Sequence, residues 1–157
     1  MSGKEESNPY GPHLIGRLLA HVHKYTRRFM TENLEQYGID GSTYGFLFFL
    51  YHQDGLTEKE ITRYMLVDKA TTTRAISKLE KSGYLKREKD ENDRRSYKIF
   101  LTPRADRMRP HLLNLRNEWN SVFLGCLEED EREDLLELLT RIEQNLHSIQ
   151  EMEGNSR

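Results

Sequence analysis

The hydrophobic periodicity of the chain changes twice, and these changes confine one β-hairpin to a position between helices. Before Gly83, apolar residues recur every three or four positions, which is the period of an amphipathic helix. In the stretch Tyr84–Leu101 they alternate with polar residues, and the turn-forming run Asp90–Asp93 divides that stretch in two. Thr102 and Pro103 then have the residue types of an N-cap and a first helical position. This order predicts helices on both sides of a single hairpin.

Four helices are predicted before the hairpin, and three of them have a recognisable cap. Ser42 or Thr43 can cap the second helix. Thr57 and Glu60 have the spacing of a capping box for the third, and Asp68 can cap the fourth. The expected ranges are Leu14–Tyr37, Tyr44–Tyr51, Glu58–Met65 and Asp68–Ser82.

Two more helices should follow the hairpin, from Pro103 to about Leu127 and from about Glu131 onward. Pro110 lacks a backbone donor and is expected to bend the first of them. The second has the apolar seam of a short coiled coil, formed by Leu135, Leu139, Ile142, Leu146 and Ile149. This seam and the apolar stripe of the first helix predict burial against a partner chain, with an antiparallel pair inside one chain as the alternative.

The net charge of −2 hides a strong separation of charge along the chain. Residues 69–109 contain 13 Lys and Arg against 6 Asp and Glu, a balance of +7, whereas the other residues contain 11 against 20, a balance of −9. Local charge decides where a phosphate backbone can approach. An ordinary solvated surface would also explain the excess, but the fourth helix adds hydroxyls among its cations. Its polar face consists of Lys69, Thr71, Arg74, Ser77, Lys78 and Lys81.

Two linked segments resemble the signature of MarR-type regulators, which can be written LExxGxLxR followed by DxRxxxxxLTxxG. Leu79–Arg87 reads LEKSGYLKR and Asp93–Thr102 reads DRRSYKIFLT, while Ala105 stands where the pattern ends in glycine. The likeness extends over about Ile39–Arg107, and the run DKATTTR from Asp68 also fits. The resemblance implies a mainly α (α+β) winged helix-turn-helix transcriptional regulator.

The resemblance also implies one intertwined domain with separate tasks for its parts. Residues 13–37 and 103–150 would form a helical dimerisation region, and residues 39–102 the DNA-binding lobe. Residues 1–12 are polar and contain Gly and Pro, which separately predicts a flexible arm. Such a homodimer reads a near-palindromic operator with half-sites roughly 10 bp apart. It represses by blocking polymerase. Double-stranded DNA and a second copy are therefore the expected partners, with no metal and no cofactor.

The fourth helix is the expected recognition helix. Such a helix enters the major groove with its first turns nearest the bases. Thr71, Arg74 and Ser77 are therefore candidates for base-edge contacts. The expected phosphate contacts are Lys69, Lys78 and Lys81.

The wing is expected to contact the minor groove. By resemblance, Arg94 and Arg95 reach it from the tip of the hairpin. Asp93 is similar to the family aspartate that orients an arginine of the recognition helix, and Arg74 is the expected partner here. The alternative for Asp93 is a simple turn residue.

The resemblance further implies a small aromatic or phenolic effector, bound between the dimer helices and the DNA-binding lobe. His21 and Tyr25, polar-tipped residues of the apolar first helix, are candidates for contacting it, with core or interface packing as the alternative. A metal-sensing regulator is a further alternative, if the fold brings histidines together. The residues concerned are His13, His21, His52 and His111.

Other classes of function find little support in the residues. The chain has no phosphate loop, nucleophile elbow or HExxH motif, so no enzyme is expected. A winged helix used as a protein-interaction module is an alternative, although it would not need paired wing arginines. No apolar run approaches the roughly 20 residues that span a bilayer, which predicts a cytoplasmic protein. The single cysteine, Cys126, is expected to be packed and inert rather than a redox switch.

Overall fold

The computed structural model describes residues 13–91, 93 and 95–154, and the expected N-terminal arm at residues 1–12 lies outside them. The α-helices in this part are α1 (His13–Leu34), α2 (Tyr44–His52), α3 (Glu58–Met65), α4 (Lys69–Lys81), α5 (Pro103–Phe123) and α6 (Glu129–Gly154). The strands β1 (Leu56–Thr57), β2 (Leu85–Lys89) and β3 (Tyr97–Leu101) form an antiparallel sheet in the order β1-β3-β2. The predicted winged helix-turn-helix architecture is confirmed.

Three of the predicted helix caps are confirmed by their hydrogen bonds. The Thr57 hydroxyl oxygen accepts from the Glu60 N–H at 3.3 Å, and a Glu60 carboxylate oxygen accepts from the Thr57 N–H at 2.8 Å. Asp68 Oδ1 accepts from the Thr71 N–H at 2.8 Å, and Thr102 caps α5 with its hydroxyl. These caps satisfy N–H groups that the first turn of a helix leaves without a partner.

Thr43 is the N-cap residue of α2, as one of the two predicted positions, but the predicted capping hydrogen bond is not formed. Neither Ser42 nor Thr43 accepts a hydrogen bond from the first turn of α2 with its side chain, because Thr43 already has helical backbone angles. Both hydroxyls point back to Asp40 instead: the Asp40 N–H donates to Thr43 Oγ1 at 2.9 Å, and Ser42 Oγ donates to Asp40 Oδ1 at 2.6 Å. Asp40 therefore organises the loop before α2.

The hairpin is confirmed, and β1 adds a third strand that the sequence pattern did not predict. Leu85 lies opposite Leu101, and Arg87 lies opposite Ile99. Strand β1 pairs with the other edge of β3, where Leu56 also lies opposite Ile99. A two-residue strand is too short to show an alternating pattern. Its pairing attaches the start of α3 to the wing.

One hydrophobic core joins the winged lobe to α1 and α5. Met30 and Leu34 of α1 and Leu112 of α5 are buried in the same cluster as residues of α2, α3, α4 and the sheet. Tyr84, which follows α4, is also buried and donates from its hydroxyl to the Tyr37 carbonyl at 2.8 Å. The lobe is therefore packed against the C-terminal half of α1.

The N-terminal half of α1 and most of α6 keep apolar side chains exposed in the single chain. These include Ile15, Leu18 and Leu19 on α1, and Leu139, Ile142, Leu146 and Ile149 on α6. Leu135, the first residue of the predicted seam, is half-buried. An antiparallel pair of helices inside one chain would have covered these faces, but they are exposed in the described part of the chain. None of the described helices is long and apolar enough to cross a membrane.

The connection between α5 and α6 differs from the prediction. Helix α5 continues through Pro110 but ends at Phe123 instead of about Leu127. Cys126 therefore lies in a turn and is exposed, so the expectation that it is packed is wrong. Helical periodicity alone did not locate the end of α5, because apolar residues continue into the turn.

Candidate nucleic-acid interface

Helix α4 presents one row of side chains away from the core. Its buried residues are Thr72, Ala75, Ile76 and Leu79. Successive residues are turned by about 100° around a helix, which defines the side opposite this buried face. The residues on that opposite side are Ala70, Arg74, Ser77 and Lys81, all of them exposed. These four form the outward row.

The predicted DNA contacts on α4 do not all share this direction. The outward row includes three of them, Arg74, Ser77 and Lys81, and Lys69 is exposed in the first turn. Thr71 and Lys78 instead lie on the flank of α4 that faces α1 and α2. Ala70 was not selected from the sequence, although the helical wheel places it in the row. It was overlooked because alanine has no polar group that could suggest a DNA contact.

Thr71 is part of the cap of α4. Its hydroxyl donates to Asp68 Oδ2 at 2.7 Å, and Arg74 Nη2 donates to the same hydroxyl oxygen at 3.3 Å. Hydrogen bonds from Thr71 lower the pKa of the Asp68 carboxyl below its ordinary value. Thr71 therefore directs the guanidinium of Arg74 in addition to stabilising the helix start.

Lys78 forms an ion pair with Asp40, in the loop between α1 and α2. The same carboxylate accepts hydrogen bonds from Ser42 and Thr43. Burial opposes ionisation of Asp40, but the hydrogen bonds from Lys78, Ser42 and Thr43 outweigh it and hold the pKa well below its usual range. A phosphate contact by Lys78 would therefore require this pair to open.

Arg87 of β2 connects the wing to both helices of the helix-turn-helix. Its Nε donates to Glu80 Oε2 of α4 at 3.0 Å, and its Nη1 lies 2.5 Å from Glu58 Oε1 of α3. The second contact is ionic, because this buried oxygen accepts no well-angled hydrogen bond. Thr73 of α4 donates to the other Glu58 oxygen at 3.0 Å. Burial disfavours the charged guanidinium, but Glu80 and Glu58 outweigh this and raise the pKa of Arg87.

The role of Arg87 was not predicted from the sequence. Glu80 and Arg87 are nevertheless charged positions of the first motif, LExxGxLxR, so the motif itself carried the signal. Their spacing across the end of α4 brings them together once the chain reverses into β2. We call Arg87, Glu58, Glu80 and Thr73 the wing bridge.

The tip of the wing is a tight turn. The Ser96 N–H donates to the Asp93 carbonyl at 2.9 Å, and the Arg95 N–H donates to Asp93 Oδ1 at 3.0 Å. Asp93 thus has the contacts of a turn residue, and among the described contacts it does not pair with Arg74 as expected. Arg95 is exposed at the tip, and Arg94 lies outside the described residues.

A cavity of about 710 Å³ lies between α1, α2 and the flank of α4. Its lining includes His23 and Arg27 of α1, Tyr44 and Phe46 of α2, and Thr71, Arg74 and Lys78 of α4. Aromatic walls combined with a few convergent polar groups are typical of small-molecule sites. The predicted effector contacts His21 and Tyr25 are exposed on α1 and do not line this cavity.

The histidines considered as metal ligands are not assembled in the described part of the chain. Nowhere in it do three His, Cys, Asp or Glu side chains come together as a metal ion would require. His21, His52 and His111 are exposed, and His111 packs edge-on against Tyr37 with ring centroids 5.2 Å apart. The side chain of His13 lies outside the described part.

Comparison with known proteins connects this geometry to one family. A family model described as MarR family matches residues 43–97. The HTH-type transcriptional regulator PrsX of Escherichia coli is 30% identical over 140 residues, which cover 88% of this chain and 84% of that protein.

Solved structures agree with this similarity. A MarR transcriptional regulator from Methanosarcina mazei Go1 has a TM-score of 0.83 at 31% identity, over 87% of this chain and 99% of that one. A putative MarR family transcriptional regulator from Listeria monocytogenes, crystallised with a 26mer DNA, has a TM-score of 0.71. Its 19% identity over 85% of this chain and 87% of that one indicates a shared fold.

Proposed function

Because this chain belongs to the MarR family of DNA-binding transcriptional regulators, we propose that it is a repressor acting as a homodimer on a near-palindromic operator. The outward row of α4 is the observation that supports this best. The row contains no acidic side chain, and it combines two cations, Arg74 and Lys81, with the hydroxyl of Ser77. These groups match base edges and flanking phosphates.

In the proposed complex α4 lies in the major groove. Arg74 and Ser77 point toward base edges, while Lys69 and Lys81, near the two ends of the helix, contact phosphates. Thr71 acts on the bases through Arg74, whose guanidinium it holds. The helix thus reads sequence near its middle and is held by charge at its ends.

The wing is proposed to enter the adjacent minor groove with Arg95, and with Arg94, which lies outside the described residues. The wing bridge holds β2 against α3 and α4. The distance between the two groove contacts is therefore set before DNA binds. Asp93 supports the wing by shaping its turn.

The exposed apolar faces of α1 and α6 support a homodimer built from residues 13–37 and 103–150. An isolated chain would leave two helices with their apolar sides in water, and burial against a second copy removes that cost. Residues 39–102 then form the DNA-binding lobe of each copy. Two lobes related by a two-fold axis would read half-sites about one helical turn apart.

Control by a small aromatic or phenolic effector is proposed at the cavity rather than at His21 and Tyr25. Arg27 offers a cationic partner for an acidic ligand, His23 adds a ring that can form hydrogen bonds, and the recognition helix forms the opposite wall. A ligand can lower DNA affinity only by its preference for the conformation that binds DNA poorly. Release from the operator would then end the block on polymerase in the cytoplasm.

Selection of DNA from a random duplex library tests the proposed function. Bound sequences should converge on a near-palindrome, and the affinity should fall steeply with salt because phosphate contacts release counterions. Arg74→Ala should relax the choice of one base pair, whereas Lys81→Ala should weaken binding to all duplexes and reduce the salt slope by about one. Lys24→Ala, which removes an exposed cation from α1 instead of α4, is the matched control.

Failure to enrich any sequence, or binding that is indifferent to salt, would reject the DNA-binding proposal. Either result would favour the alternative of a winged helix that binds another protein. Zinc-dependent binding would favour the metal-sensing alternative.

A further inference from the structure

We propose that Lys78 is a positioning residue and makes no phosphate contact. Its ion pair with Asp40 ties the recognition helix to the loop between α1 and α2. This inference rests on the proposed DNA-binding role of α4. It concerns a residue that the sequence alone assigns to phosphate.

The Asp40 carboxylate is held in one orientation. Its Oδ1 accepts from the Ser42 N–H at 2.8 Å, from Ser42 Oγ at 2.6 Å and from Thr43 Oγ1 at 3.1 Å. Its Oδ2 faces Lys78. Since Thr43 is fully buried, the group that holds Asp40 is itself part of the packed interior.

The loop that carries Asp40 is fixed to α1. The Gly41 N–H donates to Thr31 Oγ1 at 2.8 Å. A Cβ atom at Gly41 would lie 2.6 Å from the Arg27 carbonyl oxygen, so the loop backbone touches the helix directly. An ammonium bound to Asp40 is therefore bound, through this loop, to α1.

On α4, Lys78 lies beside the outward row and not in it. It shares the cavity-lining flank with Thr71, while the wing bridge contacts α4 at Thr73 and Glu80 on the other flank. Helix α4 is thus held from both edges. One tie sets its position relative to the wing, and the other sets its position relative to α1.

The second tie has a consequence for operator spacing. In the proposed dimer, α1 belongs to the interface, so the Asp40–Lys78 pair relates each recognition helix to the two-fold axis. Loss of the pair should weaken discrimination between operators whose half-sites differ in separation. A simple phosphate contact would weaken binding to these operators equally.

A double-mutant cycle tests the assignment. The proteins are wild type, Lys78→Ala, Asp40→Asn and the double variant, and Lys81→Ala is the matched control on the same helix. Asn at position 40 keeps an amide oxygen for Ser42 and Thr43. Ser42→Ala keeps Lys78 and Asp40 but removes one hydrogen bond to the Asp40 carboxylate, so it shows how far a loosened carboxylate alone weakens binding. Fluorescence anisotropy measures their affinity for the selected operator and for one lengthened by 1 bp, over a series of salt concentrations.

We expect each single variant to bind the operator about three- to fivefold more weakly, which is the scale of a partly exposed ion pair. The double variant should be no weaker than either single variant, since both remove one interaction. Discrimination against the lengthened operator should fall, and the salt slope should stay unchanged. In Lys81→Ala the slope should fall by about one while discrimination persists.

Unchanged or tighter binding by Asp40→Asn would overturn the proposal, as would additive losses or a reduced salt slope in Lys78→Ala. If wild type binds no duplex, the proposed function fails, and the tie is then judged by urea unfolding of the same four proteins. Non-additive changes in their unfolding free energies would support it, and additive changes would overturn it.

Discussion

Replacing Arg87 by Met should destabilise the protein through the wing bridge. Met keeps much of the aliphatic volume but loses the contacts to Glu80 and Glu58. The exposed fraction is 30% for the Arg87 side chain, 37% for Glu80 and 21% for Glu58, so water screens these charge interactions only in part. Hydrogen bonds to charged groups contribute about 1.5–3 kcal/mol, which gives an expected loss of about 2 kcal/mol. For a chain of this length Tm should fall by about 4–8 °C.

Thermal unfolding followed by circular dichroism measures this loss, at one protein concentration because the Tm of a dimer depends on it. Lys86→Met is the matched control, since Lys86 pairs with Glu88 and both are about half exposed. Its effect should stay within about 0.5 kcal/mol. Adding Glu58→Gln to Arg87→Met should recover part of the loss by removing a charge left without its partner. Equal changes in Tm for the variants at 86 and 87 would refute the reasoning.

Three further predictions concern a turn, the Asp40 carboxylate and the DNA contacts. Gly38 and Gly83 both have φ of +78°, but only at Gly38 would a Cβ atom lie 2.6 Å from a side-chain oxygen. Urea unfolding should therefore show a larger loss of stability for Gly38→Ala than the about 1–2 kcal/mol expected for Gly83→Ala. Equal losses would contradict this prediction. Because the pKa of Asp40 is lowered in the folded chain, its carboxylate stabilises the fold above the ordinary aspartate pKa of about 4, and this contribution is lost on acidification. Asp40→Asn should therefore lose less stability than wild type as the pH falls. Parallel curves of stability against pH would contradict this. Arg95→Ala should weaken binding to most duplexes, whereas Ser77→Ala should change the preference at one base pair by about 1–3 kcal/mol. Affinities for a panel of single-base operator variants distinguish these effects. Uniform losses for both variants would contradict the separate roles.

Features that depend on neighbouring residues could be predicted from the sequence. The capping box of Thr57 and Glu60 and the cap at Asp68 need partners only three residues away, so their spacing is visible in the chain. Alternation over β2 and β3 likewise reveals a hairpin. The outward row follows from periodicity, since the buried face of α4 determines the opposite one.

Features that depend on contacts between distant residues could not be predicted from the sequence. Asp40 and Lys78 are 38 residues apart, and neither shows in the sequence that the other neutralises it. Strand β1 forms because Leu56 meets Ile99, far along the chain. The position of the turn containing Cys126 was equally hidden, because apolar residues occur on both sides of the end of α5. Tertiary contacts also decided that the flank of α4 with Thr71 and Lys78 faces α1 and α2.

The proposed complex contains two copies of this chain, bound to one duplex across a near-palindrome. Sedimentation velocity with a fluorescent duplex carrying the selected operator measures the stoichiometry directly. We predict two chains per duplex, and binding weaker by about 100-fold or more on a duplex with one half-site, because the second lobe then loses its contact. One chain per duplex, with equal affinity for the full operator and the half-site, would contradict the claim.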